Sequence, residues 1–333
     1  MQKLEQLRDA WVAACLAFDE PAAESVFQQA LTAFPPEAVC LEVLRAGLAW
    51  IGEAWYRGDA TVHQEHFASH LAARQVQALL AETPFPAHSD FILIVCPSGE
   101  YHAFGPLLLA YLLRRNGWRV VYLGADLPVE ETKAAVHRAN PRWVVVSAHH
   151  LPPVVGIQAL GRLLRDMKVP LAYGGRVFNQ VPALRSRVLG YFLGQRMEET
   201  PVRLAEWATC PPPLPDTPLE DEAIRRARNA FLGQEWDIRA RVLPLLSLHP
   251  LPLGLPEWLV DYTFSHIRAA LILGDITLAD AYIDWLRGLR DGLSLPAEWV
   301  DPFLEALRRG VRQCLGEEGA PILEWLERQL SNS

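Results

Sequence analysis

The sequence predicts an α/β plus all-α fold of three parts: a helical bundle, a doubly wound parallel sheet and a second helical domain. Three observations support this prediction. Apolar residues recur at helical spacing over residues 1–83, short apolar runs alternate with helical segments over residues 89–209, and helical spacing returns over residues 219–333. Between the last two parts, residues 210–218 (CPPPLPDTP) are rich in proline and predict a linker.

The N-terminal part has the pattern of four helices. A second helix begins near Pro21, since proline is favoured in the first turn of a helix, and the prolines at 35–36 end it. Helical spacing resumes over residues 37–55, Gly58 turns the chain, and another helix covers residues 63–81. Four helices of this length predict a bundle.

Strand and helix patterns alternate five times in the middle part. Its first strand, FILIVC, is a continuous apolar run, as expected of a strand buried on both faces of a parallel sheet. The alternation predicts a Rossmann-like domain. The predicted strands cover residues 91–96, 119–123, 143–147, 170–173 and 188–193, and the predicted helices cover residues 104–116, 129–140, 155–167, a segment near 182, and 201–208.

The C-terminal part contains only helical patterns. The predicted helices cover residues 220–232, 236–246, 256–274, 279–289, 297–314 and 321–330.

Composition argues against several classes of function. The net charge is −8, and no basic patch stands out, so we expect no electrostatic attraction for nucleic acid or an anionic membrane. No apolar run reaches the roughly 18 residues of a membrane span, and the acidic, amphipathic N-terminus is not a signal peptide. The five cysteines lack paired spacing, which favours reduced thiols in the cytoplasm. Without a nucleophilic triad or a phosphate loop, we expect a sensor or binding protein, not an enzyme.

Residues 55–66, WYRGDATVHQEH, are unusual within the helical N-terminal part. A core helix accounts for a tryptophan, and a solvated helix face accounts for histidines and an acid. Neither explanation accounts for both kinds of residue in twelve positions.

GEYHAFG, residues 99–105, follows the first strand and carries a candidate metal ligand, His102. In a doubly wound sheet the ligand site lies at the carboxyl ends of the strands, which is where this loop begins. A metal-bound histidine is normally oriented by an acceptor on its other ring nitrogen, and Glu100 could supply one. The glycine spacing excludes a dinucleotide fingerprint. Taken alone, His102 is more simply explained as a loop histidine without a ligand.

Two further segments extend this pattern. The third strand ends in Ser147-Ala148-His149, and the fourth ends in Gly174-Gly175. Glu-x-His-x-x-Gly, then the serine, then the paired glycines, in this order, resembles the cobalamin-binding Rossmann domain. The resemblance implies that His102 is the lower axial ligand of cobalt.

The same resemblance implies roles for the neighbouring residues. Ser147 would line the channel of the nucleotide tail, and the paired glycines would let the nucleotide approach the backbone. His149 stands where the family usually has Leu or Thr, so it either alters the tail channel or bonds the nucleotide. We expect Glu100, Tyr101 and Gly105 to belong to the same site.

Trp55 and Glu65-His66, separated by nine residues, match the Trp-x9-Glu-His signature of the light-sensing cobalamin regulators. In similar proteins the tryptophan packs on the upper corrin face, the glutamate bonds the adenosyl ribose, and a valine (here Val62) gives apolar contact. The resemblance covers residues 1–208 and implies adenosylcobalamin as the cofactor, with the bundle as a lid.

The sequence departs from those regulators in two ways. They carry a DNA-binding helix-turn-helix before the bundle, whereas this sequence starts at the bundle, so we expect no direct contact with nucleic acid. They also have a histidine after the tryptophan, which binds cobalt once light has released the adenosyl group. Tyr56 stands in its place here, which leaves His63, Tyr56 or water for that role.

One predicted C-terminal helix places Trp258, Tyr262 and His266 on a single face by i, i+4 spacing. The simpler explanation is a core helix with one bonded histidine. The alternative is a tetrapyrrole pocket, with aromatic rings around a planar ligand and arginines on its propionates. Residues near enough in sequence to contribute are Arg239, Arg268, Trp236, Trp285 and Trp299.

A sub-family of cobalamin photoreceptors, the photocobilin-like proteins, joins the cobalamin module to a helical domain that binds biliverdin, and this layout resembles it. No cysteine lies in an attachment motif, so any bilin would be held non-covalently.

These patterns lead to a hypothesis and two alternatives. The hypothesis is a light sensor in which cleavage of the cobalt–carbon bond of adenosylcobalamin moves the bundle and changes a homo-oligomer. The output would go through this change of assembly or through a partner protein, and the sequence does not decide between them. The first alternative is a corrinoid carrier protein for methyl transfer, which shares the domain plan but not the Trp-x9-Glu-His signature. The second is a scaffold that has lost the cofactor, against which the intact His102 argues.

Overall fold

In a computed structural model of the chain, which describes residues 2–86, 91–246, 255–289 and 299–331, the N-terminal part is a bundle of four helices. The third of these is a continuous rod, in which a π-helical segment joins two α-helical stretches. The helices are α1 (Gln2–Leu16), α2 (Glu20–Ala33), α3 (Pro36–Val39) continued through the π-helical Cys40–Arg45 into α4 (Ala46–Arg57), and α5 (Val62–Glu82).

The turn between α4 and α5 is fixed by local backbone chemistry. Gly58 ends α4 at a φ of 83°, in the left-handed region that favours glycine. Thr61 and Gln64 then form a reciprocal capping box at the start of α5. This turn places the end of α4, which carries Trp55, beside the start of α5, which carries Glu65.

The middle part is a five-stranded, all-parallel sheet in the order β2-β1-β3-β4-β5, which confirms the predicted α/β fold. The order reverses between β1 and β3, and in sheets of this kind ligands bind at that point, beyond the carboxyl ends of the strands. The strands are β1 (Phe91–Val95), β2 (Arg119–Tyr122), β3 (Trp143–Ser147), β4 (Leu171–Gly174) and β5 (Tyr191–Phe192). The helices are α6 (Phe104–Arg115), α7 (Val129–Ala139), α8 (Val154–Asp166), α9 (Arg176–Gln180) and α10 (Thr200–Trp207).

Two predicted elements differ from the structure. The segment near 182 is a 3-10 helix, Pro182–Arg187, instead of an α-helix. The last strand covers Tyr191–Phe192 instead of residues 188–193, because only these two residues pair with β4. The predicted domain start at residue 89 and the predicted helix start at residue 297 lie outside the described residues.

The C-terminal part is helical, as predicted, and its core is continuous with one face of the sheet. The helices are α11 (Glu222–Leu246), α12 (Leu255–Ile272), α13 (Asp280–Gly288), α14 (Val300–Leu315) and α15 (Ala320–Ser331). The predicted break between residues 232 and 236 is a bend at Gln234, whose φ of −123° departs from helical geometry. Residues 211–221 form neither helix nor strand. None of the described helices has the length and apolar character needed to cross a bilayer.

The bundle is anchored to the sheet domain through α6. Leu108 and Tyr111 of α6 are buried in one apolar cluster with Leu71 and Val76 of α5 and with residues of the other bundle helices. Because α6 begins two residues after His102, this packing fixes the bundle relative to the loop that carries His102.

Two helical glycines give a test of this packing. A methyl group at Gly161 of α8 would lie 2.6 Å from the carbonyl oxygen of Leu189, so the backbone that leads into β5 must shift. We expect Gly161→Ala to destabilise the protein by about 1–3 kcal/mol, as overpacking does. At Gly52 of α4 the methyl group meets no described neighbour within 4 Å. Gly52→Ala should therefore stabilise the protein by up to about 1 kcal/mol. Urea unfolding of both variants measures the difference, and equal effects would contradict this account.

Candidate functional site

The centre of the candidate site is Glu100, which the loop after β1 places beside His102. The Glu100 side chain is 1% exposed, whereas that of His102 is 54% exposed. Nδ1 of His102 lies 2.7 Å from Oε1 of Glu100, and the backbone N–H of His102 donates to the same oxygen at 2.8 Å. The predicted orientation of His102 by Glu100 is present in the structure.

The second carboxylate oxygen of Glu100 binds the loop after β3. The backbone N–H of His149 donates to Oε2 at 2.5 Å. Burial alone would raise the pKa of Glu100, but the hydrogen bonds from His102 and His149 outweigh it and leave the pKa below its ordinary value of 4.5. An ionised Glu100 accepts hydrogen bonds only, so Nδ1 of His102 is the donor, and in the neutral form of this ring Nε2 is the nitrogen that could bind a metal.

His149 lies against His102 instead of standing apart from it. The two rings stack at a centroid distance of 4.0 Å and an interplanar angle of 15°. Burial, the neighbouring His102 and Arg176 lower the pKa of His149 to about 3, so its ring is neutral near pH 7. Nε2 of His149 lies 3.5 Å from Nη1 of Arg176, which follows the paired glycines.

His150 is a site residue that the sequence analysis missed. Its Nδ1 lies 3.9 Å from Oε2 of Glu100, and its ring lies 5.6 Å from that of His102. No pattern in the sequence marks His150 as different from its neighbour His149, and in the structure both rings contact that of His102, His149 face to face and His150 edge to face. On its other side, His150 faces Tyr262 and His266 at 6.0 and 6.2 Å between ring centroids.

The paired glycines follow β4 at the same edge of the sheet. Ser147, the last residue of β3, pairs with Gly174 in the parallel register. Gly175 has a φ of 113°, and a side chain there would lie 2.1 Å from the carbonyl oxygen of Ala148. The protein's own backbone thus requires a glycine at 175. At Gly174 and Gly105 an added methyl group meets only ordinary contacts, at 3.8 and 3.9 Å.

Tyr101 points to a different partner from its neighbours. It is 69% exposed, and its hydroxyl donates to Oδ2 of Asp126 at 3.2 Å. The other oxygen of Asp126 accepts from the backbone N–H of Gly99 at 2.8 Å. Tyr101 therefore braces the loop after β1 against the loop after β2.

The lid signature lies around the α4–α5 turn. Trp55 is half-buried near the end of α4, Val62 is exposed at the start of α5, and His63 is exposed next to it. Glu65 is partly buried and accepts from the hydroxyl of Ser69 at 2.6 Å. His66 is largely exposed, with Nε2 at 3.8 Å from the Glu65 carboxylate.

Tyr56 contacts the C-terminal domain. Its hydroxyl donates to the backbone oxygen of Trp285 at 3.0 Å, and the two rings stack at 6.4 Å.

The three aromatic residues predicted on one face of α12 lie together in the structure. Trp258 and Tyr262 stack at 5.1 Å, and Tyr262 meets His266 edge to face at 4.7 Å. Two residues of α13 complete the cluster: Tyr282 stacks on His266 at 4.0 Å, and Trp285 lies 6.2 Å from Tyr262. The sequence pattern did not indicate Tyr282, and it indicated Trp285 only as a residue near in sequence. Burial lowers the pKa of His266 to about 3.

The two predicted arginine ligands are bonded within the domain. Arg239 donates to Asp261 at 2.7 and 3.3 Å, and Arg268 forms an ion pair with Glu235. Two tryptophans lie away from the cluster: Trp236 is 80% exposed, and Trp299 is buried against Phe303.

A separate groove of about 520 Å³ lies at the opposite, amino-terminal end of the sheet. Its lining includes Arg142, Trp143, Lys168, Tyr191 and Trp207, and it contains none of the predicted site residues.

Two protein-family models match the bundle and the sheet domain. Residues 7–80 match one family model described as a B12 binding domain, and residues 91–202 match a second with the same description. The chain therefore contains B12-binding domains.

Three curated proteins are similar to part of the chain. The HTH-type transcriptional repressors CarH and CarA of Myxococcus xanthus are 36% and 34% identical to it over 143 and 144 residues, which is 43% of this chain and 48% of each repressor. A methanol–corrinoid protein of Methanosarcina barkeri is 34% identical over 91 residues, or 26% of this chain and 35% of that protein. The chain thus spans about half the length, or less, of these relatives.

Solved structures give weaker similarities. A monomethylamine corrinoid protein of Methanosarcina barkeri covers 62% of this chain and 98% of its own, at 19% identity and a TM-score of 0.47. The methanol:cobalamin methyltransferase complex MtaBC of the same organism covers 64% of this chain and 82% of its own, at 20% identity and a TM-score of 0.35.

The homology to CarH and CarA gives no support to the prediction that the chain avoids nucleic acid, which stays a prediction.

The buried carboxylate of Glu100 can be tested without a cofactor. Glu100→Gln keeps one acceptor oxygen and replaces the other with an N–H₂ group, which cannot accept a hydrogen bond. The backbone N–H of either His102 or His149 then loses its acceptor. We expect a loss of about 1–3 kcal/mol in the free energy of unfolding. Glu324→Gln on the exposed side of α15 is the matched control and should change it by less than about 0.5 kcal/mol. Urea unfolding at pH 7 makes the measurement, and a neutral Glu100→Gln would show that the carboxylate does not hold the loops.

Proposed function

We propose that the protein is a light sensor that binds adenosylcobalamin between the His102 loop and a lid formed by α4 and α5. The single observation that supports this most is the half-exposed His102, oriented by a buried carboxylate, within segments that match B12-binding domains. The residues fit the cofactor, because Glu100 leaves Nε2 of His102 as a metal-binding nitrogen at the carboxyl edge of the sheet.

The residues around His102 would hold the lower side of the cofactor. His102 would supply the metal-binding nitrogen, and Glu100 orients its ring and would raise its basicity. The ring of His149 stacks on the imidazole of His102 and limits its rotation. Ser147 and Gly174 lie at the same strand ends and border the space into which the nucleotide tail would descend.

The lid residues would hold the upper side. When bound, adenosylcobalamin supplies a cobalt–carbon bond that light cleaves. Trp55 would pack against the cofactor, Val62 would give apolar contact, and Glu65 would accept a hydrogen bond from the ribose. His63 and His66 lie at the same turn, where they are solvent-accessible. Without these contacts, Trp55, Val62 and Glu65 would no longer hold α4 and α5 in the dark position.

Lid movement would change the assembly of the protein, and a partner protein would read the change. The names of CarH and CarA favour transcription as the controlled process.

The first test is the absorption spectrum of protein reconstituted in the dark with adenosylcobalamin, before and after green light. We expect a bound spectrum that changes irreversibly on illumination. His102→Ala should abolish the lower-ligand signature and weaken binding, because its side chain would supply the metal-binding nitrogen. The matched control is His137→Ala, which removes an exposed histidine from α7. Equal spectra for His102→Ala and the control would refute the proposed site.

A corrinoid carrier protein for methyl transfer is the second candidate. The observation that favours it is the similarity of 91 residues to a methanol–corrinoid protein. The same reconstitution separates the two functions: a carrier would take up methylcobalamin at least as tightly as the adenosyl form, whereas the lid signature favours the larger adenosyl group.

We further propose that the C-terminal domain binds biliverdin as a second chromophore. The support is the cluster of Trp258, Tyr262, His266, Tyr282 and Trp285, which offers stacked aromatic faces to a planar tetrapyrrole. Trp258 is 40% exposed, so the cluster has an edge open to solvent. The proposed propionate contacts to Arg239 or Arg268 require these arginines to exchange their present carboxylate partners.

Biliverdin titration of the purified protein tests this second site. We expect a red shift and sharpening of the biliverdin absorption band with the wild type, and a loss of most of that change in Trp258→Ala. Trp236→Ala is the matched control, since it removes an exposed tryptophan of the same domain outside the cluster. An unchanged biliverdin spectrum with wild-type protein would refute the proposal without affecting the cobalamin site.

A further inference from the structure

The lid and the C-terminal domain meet at one specific contact, made by Tyr56 and the end of α13. The two partners are separated by 229 positions in the sequence. The hydroxyl of Tyr56 donates to the backbone oxygen of Trp285 at 3.0 Å, and the rings of Tyr56 and Trp285 are nearly parallel, with an interplanar angle of 25°.

The end of α13 is shaped to admit the tyrosine. A side chain at Gly288 would begin 1.6 Å from the hydroxyl of Tyr56, so only glycine leaves room for the ring. The accepting oxygen, that of Trp285, lies in the last turn of α13. Leu289 donates to it at 3.1 Å, and Tyr56 is its second donor. Burial raises the pKa of Tyr56, which keeps the hydroxyl protonated as a donor near pH 7.

The contact joins the lid to the aromatic cluster of the C-terminal domain. Trp285 lies 6.1–6.4 Å from Tyr282, Tyr262 and Trp258, measured between ring centroids. Its neighbour on the lid side is the residue next to Trp55. A shift of the end of α4 therefore either moves Trp285 or breaks this contact.

We propose that Tyr56 is a positioning residue through which the C-terminal domain sets the place of Trp55 over the upper face of the B12 site. The inference rests on the proposed function of Trp55 as an upper cap. The tyrosine hydroxyl is engaged with Trp285, which favours this role over that of a replacement metal ligand. By linkage, a change in the C-terminal cluster alters the lid, and closure of the lid alters the cluster to the same extent in free energy.

Two variants break the contact from opposite sides. Tyr56→Phe removes the hydrogen bond and keeps the ring, and Gly288→Ala pushes the ring away. Tyr173→Phe is the matched control, because it also removes a tyrosine hydroxyl bonded to a backbone oxygen, that of Arg185, within the sheet domain. Hydrogen–deuterium exchange of the cofactor-free protein is the first measurement. We expect faster exchange in residues 46–57 and 280–289 for Tyr56→Phe and Gly288→Ala, and no change there for the control.

Dark binding of two cobalamins is the second measurement and separates positioning from simple stability. We expect Tyr56→Phe to weaken adenosylcobalamin binding about 5- to 10-fold, the effect of one lost hydrogen bond of about 1 kcal/mol or slightly more. Cyanocobalamin lacks the adenosyl group, so its binding should not change. Tyr56→Phe and Gly288→Ala break the same contact, so their effects should not add. The protein with both substitutions should bind adenosylcobalamin about as tightly as whichever single variant binds it more weakly.

The outcomes are distinct. Equal weakening of both cobalamins, or faster exchange without any change in adenosylcobalamin binding, would overturn the positioning role. Unchanged exchange in both variants would overturn the contact itself. Failure of the wild type to bind adenosylcobalamin at all would refute the proposed function and, with it, the role assigned to Trp55.

Discussion

The carboxylate of Glu100 holds the edge of the sheet on which the site is built. Burying an unpaired charge would cost several kcal/mol, so a carboxylate that is 1% exposed requires a full set of donors. Two backbone N–H groups and one imidazole provide them, from the loops after β1 and β3. The same bonds that satisfy the charge also join adjacent strand ends and determine which nitrogen of His102 is available for a metal.

The other parts of the protein are arranged around this edge. The bundle packs on α6, whose first turn follows the His102 loop, and the C-terminal helices pack on the opposite face of the sheet and bring Tyr262 and His266 towards His150. The lid and the C-terminal domain also meet directly, through Tyr56 and Trp285. A ring of contacts therefore runs from the His102 loop through the C-terminal cluster to the α4–α5 turn, and returns to the His102 loop through the packing of the bundle on α6. Because each of these segments contacts two others in the ring, a movement of one segment changes its contacts with both neighbours.

This arrangement places the candidate B12 site close to the aromatic cluster of the C-terminal domain. His150 contacts both, since its ring lies 5.6 Å from that of His102 and 6.0 and 6.2 Å from those of Tyr262 and His266. Burial lowers the pKa of both His149 and His266 to about 3, so the ring stacked on His102 and the ring within the C-terminal cluster are neutral near pH 7. The lowered pKa values of His149 and His266 thus depend on burial that only the packed structure supplies.

The sequence alone determined the features that depend on short-range spacing. Helical periodicity, the apolar strand runs and the position of Glu100 and His102 just after β1 are local patterns, and the all-parallel sheet and the helical parts follow from them. The face of α12 shared by Trp258, Tyr262 and His266 also follows from i, i+4 spacing. The sequence pattern predicted a break between two helices near residue 234. In the structure α11 bends at Gln234 and continues as a helix on both sides of it.

Only the tertiary structure decided the contacts between parts that are distant in the chain. The bond from Tyr56 to Trp285 and the fit of Gly288 around it join residues more than 200 positions apart, and no periodicity encodes such a meeting. The same holds for His150, which gains its role from the way the loop after β3 faces α12. Trp236 and Trp299 show the converse, since proximity in sequence placed them near the cluster, whereas helix orientation turned one to solvent and the other into the core. Side-chain chemistry was readable from the sequence, but its geometry was set by how the helices pack.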